Sequence, residues 1–272
     1  MRKTILTLAI AVMVSLTACS GNKTQSLDSI PSEEVEDPVV ENIELPPALN
    51  LSRQKVDSVG FIIMKADPYR CHVTMADSVI PSQTDSTILL CVEAAFTGQL
   101  LKEFKTTNIA GDYIIDGEYH KGYKCIANTG FLCSLEGSQG CTVKIGRSTE
   151  CKEWMEQAKE FRGSLFQQIL IVQNCKNVYR NTPIKPTTKN IYRAACTLTD
   201  GGFAVIQSLS RLPLSCFINS LISLGVEDAL YLDMGTGWNY GWYRESPSSP
   251  AVELFKVRSP YQTNWLVIKA KY

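Results

Sequence analysis

Histidine is nearly absent: His72 and His120 are the only two in 272 residues. Ten cysteines are present, yet no two are spaced as Cys-x-x-Cys. A structural zinc site or a histidine-based triad therefore has little to be built from. Charge excess is also lacking, with 27 Lys and Arg against 27 Asp and Glu. No basic stripe with interleaved aromatics appears, which excludes a nucleic-acid footprint. After the first apolar run no segment is long and apolar enough to span a bilayer, and no internal repeat is visible.

The start of the chain is informative. Arg2 and Lys3 precede an apolar run from Ile5 to Val14, and Leu16-Thr17-Ala18-Cys19 follows. A basic start, a short apolar stretch and small residues make an export signal over residues 1–18. The run falls short of the ~20 apolar residues of a spanning helix. Its Leu-x-x-Cys ending resembles a bacterial lipoprotein signal, which implies that Cys19 becomes the acylated first residue of the mature chain. Acyl chains contribute roughly 0.8 kcal/mol per buried methylene, so several on one cysteine anchor firmly. Residues 19–50 carry Glu33, Glu34, Glu36, Asp37, Glu41 and Glu44 among four prolines without apolar periodicity. They read as a disordered acidic tether behind the anchor. The expected location is the cell envelope, periplasmic or outer-membrane.

Residues 51–272 are expected to form one domain, long enough to bury about 70% of its extended surface without metal or disulfide. Val59 to Ala66 and Cys71 to Met75 read as strands around an Asp67-Pro68 turn, and Thr87 to Phe96 as another apolar run. Asp116-Gly117 marks a hairpin, because Asp-Gly tolerates positive φ. Ser148 or Thr149 with Glu150 can open a helix carrying Trp154, Ala158 and Phe161 on one face, and Gly163 ends it. Leu165 to Val172 looks like one buried strand. Ile191 to Leu198 and Phe203 to Ser208 flank Asp200-Gly201-Gly202 as a second hairpin. Pro213 starts a helix with Phe217, Leu221 and Leu224 inward, and Gly225 stops it. A short strand from Ala229 to Leu232 and a last one from Asn264 to Ala270 follow. Strands dominate and the helices interrupt them singly, so the expected class is α+β, with a mixed, strand-rich sheet and a few packed helices.

Cys91, Cys196 and Cys216 sit in apolar runs and are expected as small core residues. Cys125, Cys133, Cys141 and Cys151 cluster in a loop-rich region and are the disulfide candidates in an exported chain. Asp233 stands at the end of the Ala229–Leu232 strand. The loop after it holds Gly235, Gly237, Trp238, Asn239, Tyr240, Gly241, Trp242, Tyr243 and Arg244. Aromatics on a glycine-rich loop beside a carboxylate suit a sugar, whose ring faces are apolar and whose edges carry hydroxyls. The alternatives are that the aromatics tuck into the core and that Asp233 caps the loop through backbone N–H groups. His120 lies in a polar segment with Asp112, Asp116 and Glu118, and His72 on a strand without a chemical role.

The run Leu224-Gly225-Val226-Glu227-Asp228-Ala229-Leu230-Tyr231-Leu232-Asp233-Met234-Gly235 is similar to a late motif of the phosphodiester glycosidase family, a helix, Leu-Gly, then a strand ending Asp-Gly-Gly. Arg193-Ala194-Ala195-Cys196 with Asp200-Gly201-Gly202 resembles the family's Arg-x-Ala-x-Gly strand and turn, and Ala94-Ala95-Phe96 its Asn-x-x-Phe-Phe element. Asn108-Ile109-Ala110-Gly111-Asp112 and Asn128-Thr129-Gly130-Phe131 most resemble its Bacteroidetes lipoprotein branch. The likeness covers roughly residues 85 to 272 and is strongest in the last eighty or so. Two positions depart from the pattern: Met234 replaces the first glycine of the Asp-Gly-Gly turn, and Thr97 the second Phe.

The resemblance implies hydrolysis of a sugar phosphodiester, such as an N-acetylglucosamine-1-phosphodiester, or of a related glycan, with a carbohydrate or sugar-phosphate partner and no cofactor or metal. A phosphodiester anion leaves easily, so charge neutralisation and support of an oxocarbenium-like sugar become the main tasks. Arg193 is then the phosphate ligand, as a planar guanidinium suits, or else the partner of a surface acid. Asp233 is base, nucleophile or electrostatic partner, and Asp112 and Glu118 are candidates for the second carboxylate. Trp238, Tyr240 and Trp242 form the sugar platform, with Asn128 and His120 as further substrate contacts. Met234 puts a bulky side chain where backbone would approach the ligand, which makes a non-catalytic glycan-binding lipoprotein the alternative.

Overall fold

Asp57 and Ser58 both take positive φ, 45° and 68°, so the chain reverses in two residues and zips Val56 against Val59. That turn joins β1 (Leu49–Val56) to β2 (Val59–Ala66). The computed structural model describes residues 47–97, 109–138, 140–180, 183–235, 239–255 and 263–271. They belong to one unit, Leu45–Tyr272. β1 begins inside the stretch expected to be tether. Ala48 is already buried, and its carbonyl accepts from Cys71 Sγ at 3.1 Å.

Three sheets and a short strand pair make up the fold. β2 continues a seven-stranded sheet through β14 (Phe203–Ser208), β13 (Arg193–Leu198), β16 (Val226–Tyr231), β10 (Leu170–Gln173) and β11 (Lys176–Asn177). A five-stranded sheet runs β18 (Val252–Phe255), β17 (Gly241–Tyr243), β4 (Ile88–Glu93), β19 (Asn264–Ala270), β3 (Cys71–Asp77). A second five-stranded sheet runs β6 (Glu118–His120), β5 (Tyr113–Ile115), β9 (Ser164–Gln168), β7 (Gly130–Gly137), β8 (Gly140–Arg147). β12 (Lys189–Asn190) pairs with β15 (Leu212–Pro213). Two helices, α1 (Cys151–Glu160) and α2 (Leu214–Ser223), complete the described elements.

The expected mixed sheet is corrected. Every described strand ladder is antiparallel, and the one parallel pairing is an isolated bridge between Ala110 and Tyr123. With two helices in a strand-rich chain, α+β describes it only loosely.

Side-chain alternation along β13 shows how the layers pack. Ala195 faces inward with Met64, Leu230, Val92 and Leu266, filling the core between the seven-stranded sheet and the other two. Ala194 and Cys196 face the other way, onto Phe217, Ile218 and Leu221 of α2. α2 ends as expected at Gly225, φ +81°, a conformation that costs glycine nothing. α1 covers the third sheet through Ala158 and Cys151, packed with Phe131 and Leu165. Phe161 caps that helix and is exposed, contrary to its expected inward place.

None of the nine cysteines among the described residues is in a disulfide. Cys133 and Cys141 lie on the two arms of a hairpin but out of register, opposite Lys144 and Glu136. The expected loop region is therefore a sheet, and no disulfide joins its cysteines. Cys216 is exposed on α2, whereas Cys91 and Cys196 are core residues as expected.

Candidate active site

β4 ends at Glu93, β13 begins at Arg193 and β16 ends at Tyr231, two residues before Asp233. Two backbone hydrogen bonds hold these ends together. The Leu232 amide donates to the Arg193 carbonyl at 3.0 Å, and the Asp233 amide to the Ala94 carbonyl at 3.1 Å. Gln168 Nε2 donates to the same Ala94 carbonyl at 3.3 Å. Three charged side chains from two sheets thus converge on one seam.

Arg193 is fully buried. Its Nε and Nη2 donate to Gln207 Oε1 at 2.9 and 2.7 Å. Nη1 and Nη2 reach the carbonyls of Tyr240 and Asn239, each at 3.4 Å. Gly241 makes room for the guanidinium, since a Cβ there would lie 3.1 Å from Nη2. Burial lowers the Arg193 pKa to about 10, with the Glu93 charge pulling it back up.

Asp233 is 6% exposed. Its Oδ1 accepts the Gly235 amide at 3.0 Å, so it also caps the loop as one alternative held. Burial raises its carboxyl to about 7, against the backbone N–H groups of Gly235 and Met234. Glu93 is 0% exposed, and neither carboxylate oxygen has a hydrogen-bond partner among the described residues. Burial first, and then the Asp233 charge, push Glu93 well above the usual carboxylate range, while Arg193 acts in the opposite direction. The Asp233 charge acts on Glu93 beside one buried cation, and desolvated carboxyls of this kind cluster at functional sites.

The sequence reading passes over Glu93, which stands inside an apolar run. The available signal was register. With Phe96 and Thr97 on the two aromatic positions of the Asn-x-x-Phe-Phe-like element, Glu93 takes the place of the asparagine.

The remaining candidates lie elsewhere. Asp112 and Asn128 line a separate hollow of about 310 Å³ with Gly111, Lys121, Tyr123 and Gln167. Burial acts to raise Asp112, but hydrogen bonds from Tyr119 (2.7 Å), Lys121 (3.0 Å) and the Gly122 amide (3.2 Å) outweigh it and hold it below the usual range. Asn128 donates to the Ala110 carbonyl at 2.9 Å. Glu118 is exposed on β6, and His120 stacks on Tyr113 with ring centroids 4.9 Å apart. Neither Asp112 nor Glu118 lies with Asp233; the carboxylate whose charge couples to Asp233 is Glu93.

Tyr240 and Trp242 have no exposed surface and pack with Trp265, Cys91 and Ile88. Of the two expectations for that loop, these rings follow the inward one, because strand β17 pairs with β4 and sets Trp242 opposite Cys91. They are corrected from sugar platform to core. Trp238, Asn108 and Cys19 lie outside the described residues. Among the described residues no group of three or more His, Cys, Asp or Glu side chains is placed to hold a metal ion.

In fold the chain is similar to two solved structures. It is similar to the catalytic domain of zebrafish N-acetylglucosamine-1-phosphodiester alpha-N-acetylglucosaminidase, auto-inhibited by its pro-peptide. That likeness has 15% identity and a TM-score of 0.55, covering 83% of this chain and 84% of that one. A hypothetical protein from Synechocystis is similar at 10% identity and a TM-score of 0.50, covering 82% of this chain and 62% of that one. No protein-family model matches the sequence, and no curated protein matches it.

Proposed function

We propose that this chain is a hydrolase that cleaves a sugar phosphodiester or a related glycoside. It acts at the cell envelope, held there by acyl chains on Cys19, and belongs to the Bacteroidetes lipoprotein branch of the phosphodiester glycosidases. One observation carries the hydrolase reading: Arg193, Asp233 and Glu93 converge, buried, at a seam between two sheets. Burying three ionisable groups without tight mutual pairing costs stability, which argues for retention by function.

In this reading Arg193 offers positive charge to the departing group. Asp233 supports the cationic sugar and takes the proton of the incoming water. A dry site strengthens both interactions. Release of N-acetylglucosamine from a GlcNAc-1-phosphodiester by the wild type and by Asp233→Asn tests it. Turnover that is lost in the variant supports the hydrolase.

A glycan-binding lipoprotein on the same scaffold is the second reading, and the Met234 turn favours it. Met234 is buried, its amide donates to Tyr231 Oη at 3.0 Å, and its carbonyl accepts from Asn190 at 2.8 Å. That turn is fastened on both sides where an open glycine turn would let a substrate approach. Saturable sugar binding without turnover would select this reading.

A further inference from the structure

A phosphodiester leaves the anomeric carbon as a stable anion and requires no proton. An ordinary glycoside leaves as an alkoxide, so its departure requires an acid at the leaving oxygen. The difference between the two substrate classes therefore lies in one protonated group beside the scissile bond.

Glu93 meets the description of that group. It ends β4 next to Ala94, whose carbonyl binds the Asp233 amide. It has no exposed surface, and both oxygens lack partners among the described residues. A purely structural carboxyl is bonded to backbone N–H groups or to a cation. Among the described residues this one is bonded to neither, although Arg193 acts on its charge and directs its own hydrogen bonds to Gln207, Tyr240 and Asn239. An acid without a fixed partner among the described residues, within reach of the Asp233 charge, is free to give its proton to a ligand.

Resting on the hydrolase reading above, we infer that Glu93 is a general acid and that the substrates of this chain include O-glycosides with alcohol leaving groups. The Glu93 carboxyl gives its proton to the glycosidic oxygen as the C1–O bond breaks, and the aglycone departs as the alcohol. Water adds to C1, and its proton goes to the Asp233 carboxylate. The products are the free sugar and the alcohol. Passage of the Asp233 proton to Glu93, directly or through solvent, restores the starting state. Arg193 stays cationic throughout and offsets the charge that moves between the two acids.

The test uses GlcNAc glycosides of both anomers, with leaving groups from simple alcohols to dinitrophenol, together with a GlcNAc-1-phosphodiester. Wild type is expected to cleave the alkyl glycosides with a weak dependence of kcat on leaving-group basicity. Glu93→Gln should lose roughly 10²–10⁴-fold on the alkyl glycosides. It should lose less than about ten-fold on the dinitrophenyl glycosides and the phosphodiester, whose leaving groups need no proton. The alkaline limb of the wild-type kcat/KM profile should vanish in Glu93→Gln and persist in Glu93→Asp.

An equal loss on every substrate would make Glu93 a structural or binding residue and overturn the proposal. Wild type that turns over only the phosphodiester and the dinitrophenyl glycosides also overturns it, with the hydrolase reading intact. Wild type that turns over none of them sinks both. If Glu93→Gln does not fold, the wild-type leaving-group series decides alone, and a steep dependence on basicity refutes the acid.

Discussion

The Asp233 amide donates to the Ala94 carbonyl at 3.1 Å, and this one bond fastens the end of β16 to the end of β4. It brings Asp233 beside Glu93 and into burial that lifts its carboxyl from an ordinary 3.8 to about 7. Between about pH 4 and 7 the folded chain then holds a proton that the unfolded chain has released. Stability contributed by this group is complete below pH 4, declines by about 1.4 kcal/mol per pH unit as pH rises, and is gone above 7. Asp233→Asn removes the titration. Thermal melts should show variant and wild type nearly equal at pH 4 and the variant more stable at pH 8, although its turnover is lost. A constant difference across that range would disprove the burial argument.

Arg193 predicts the opposite sign. Its removal leaves Glu93 and Asp233 buried without a cation and Gln207 Oε1 without its donor. Arg193→Met should cost about 3–5 kcal/mol in urea denaturation at pH 8. Adding Glu93→Gln should return a part of that, because one of the two buried charges that Arg193 offsets is then absent. A double-mutant cycle coupling of about 1 kcal/mol or more is expected, and strict additivity would place the two residues out of reach of each other.

Much of the strand framework was legible. β2 and β19 carry the ends read from sequence, because each is a continuous apolar run bounded by turn chemistry. The Asp116-Gly117 turn has the positive φ values, 49° and 88°, that its dipeptide implied. The run from Leu165 to Val172 was read as one strand but is two. Chain paired to β7 changes at Ile169 to chain paired to β16, and the Ile169 amide is taken by Gln168 Oε1. Apolar continuity records burial and carries no mark of which sheet buries it. The same limit hid Glu93, a charge in a strand whose six residues are all buried. It also hid the role of Trp242, since a glycine-rich loop and a short strand flanked by glycine read alike. Asp233 stands out in the sequence at a strand end, and Arg193 through its Arg-x-Ala-x-Gly-like strand and turn.

The thiols give a third prediction. Cys71, Cys133 and Cys151 are pushed by burial to about 12 and Cys141 to about 11, whereas Cys175 and Cys216 are exposed. The thiolate is the reacting form, so buried thiols label slowly on two counts. Alkylation of the native protein followed by mass spectrometry should modify Cys175 and Cys216 first and the four buried thiols only after denaturation. Disulfides among Cys125, Cys133, Cys141 and Cys151 in protein purified from an oxidising compartment would contradict the free-thiol arrangement.

His72 was expected to have no chemical role, yet it clasps two sheets. It stands on β3, opposite Lys269 of β19. Its Nδ1 pairs with Glu136 of β7, and its Nε2 lies 3.8 Å from Asp116 in the β5–β6 turn. Lys271 joins Glu136 at 2.6 Å, and Thr74 donates to Asp116 at 2.9 Å. Asp116 and then Glu136 raise His72 above 6.5, against its burial. His72 in turn holds Asp116 below 3.8. Glu136 falls below 4.5 because Lys271 and His72 outweigh its burial. The raised histidine contributes stability that is complete below about pH 6.5 and lost as pH climbs through its folded value. The depressed acids contribute above about pH 4.5 and lose it as pH falls further. The clasp is therefore strongest between about pH 4.5 and 6.5. His72→Gln should lower Tm most near pH 5.5 and progressively less toward pH 9 and pH 3. Because these side chains are partly exposed, 0.5 M salt should shrink the pH 5.5 difference. A Tm loss that ignores both pH and salt would reduce His72 to a packing residue.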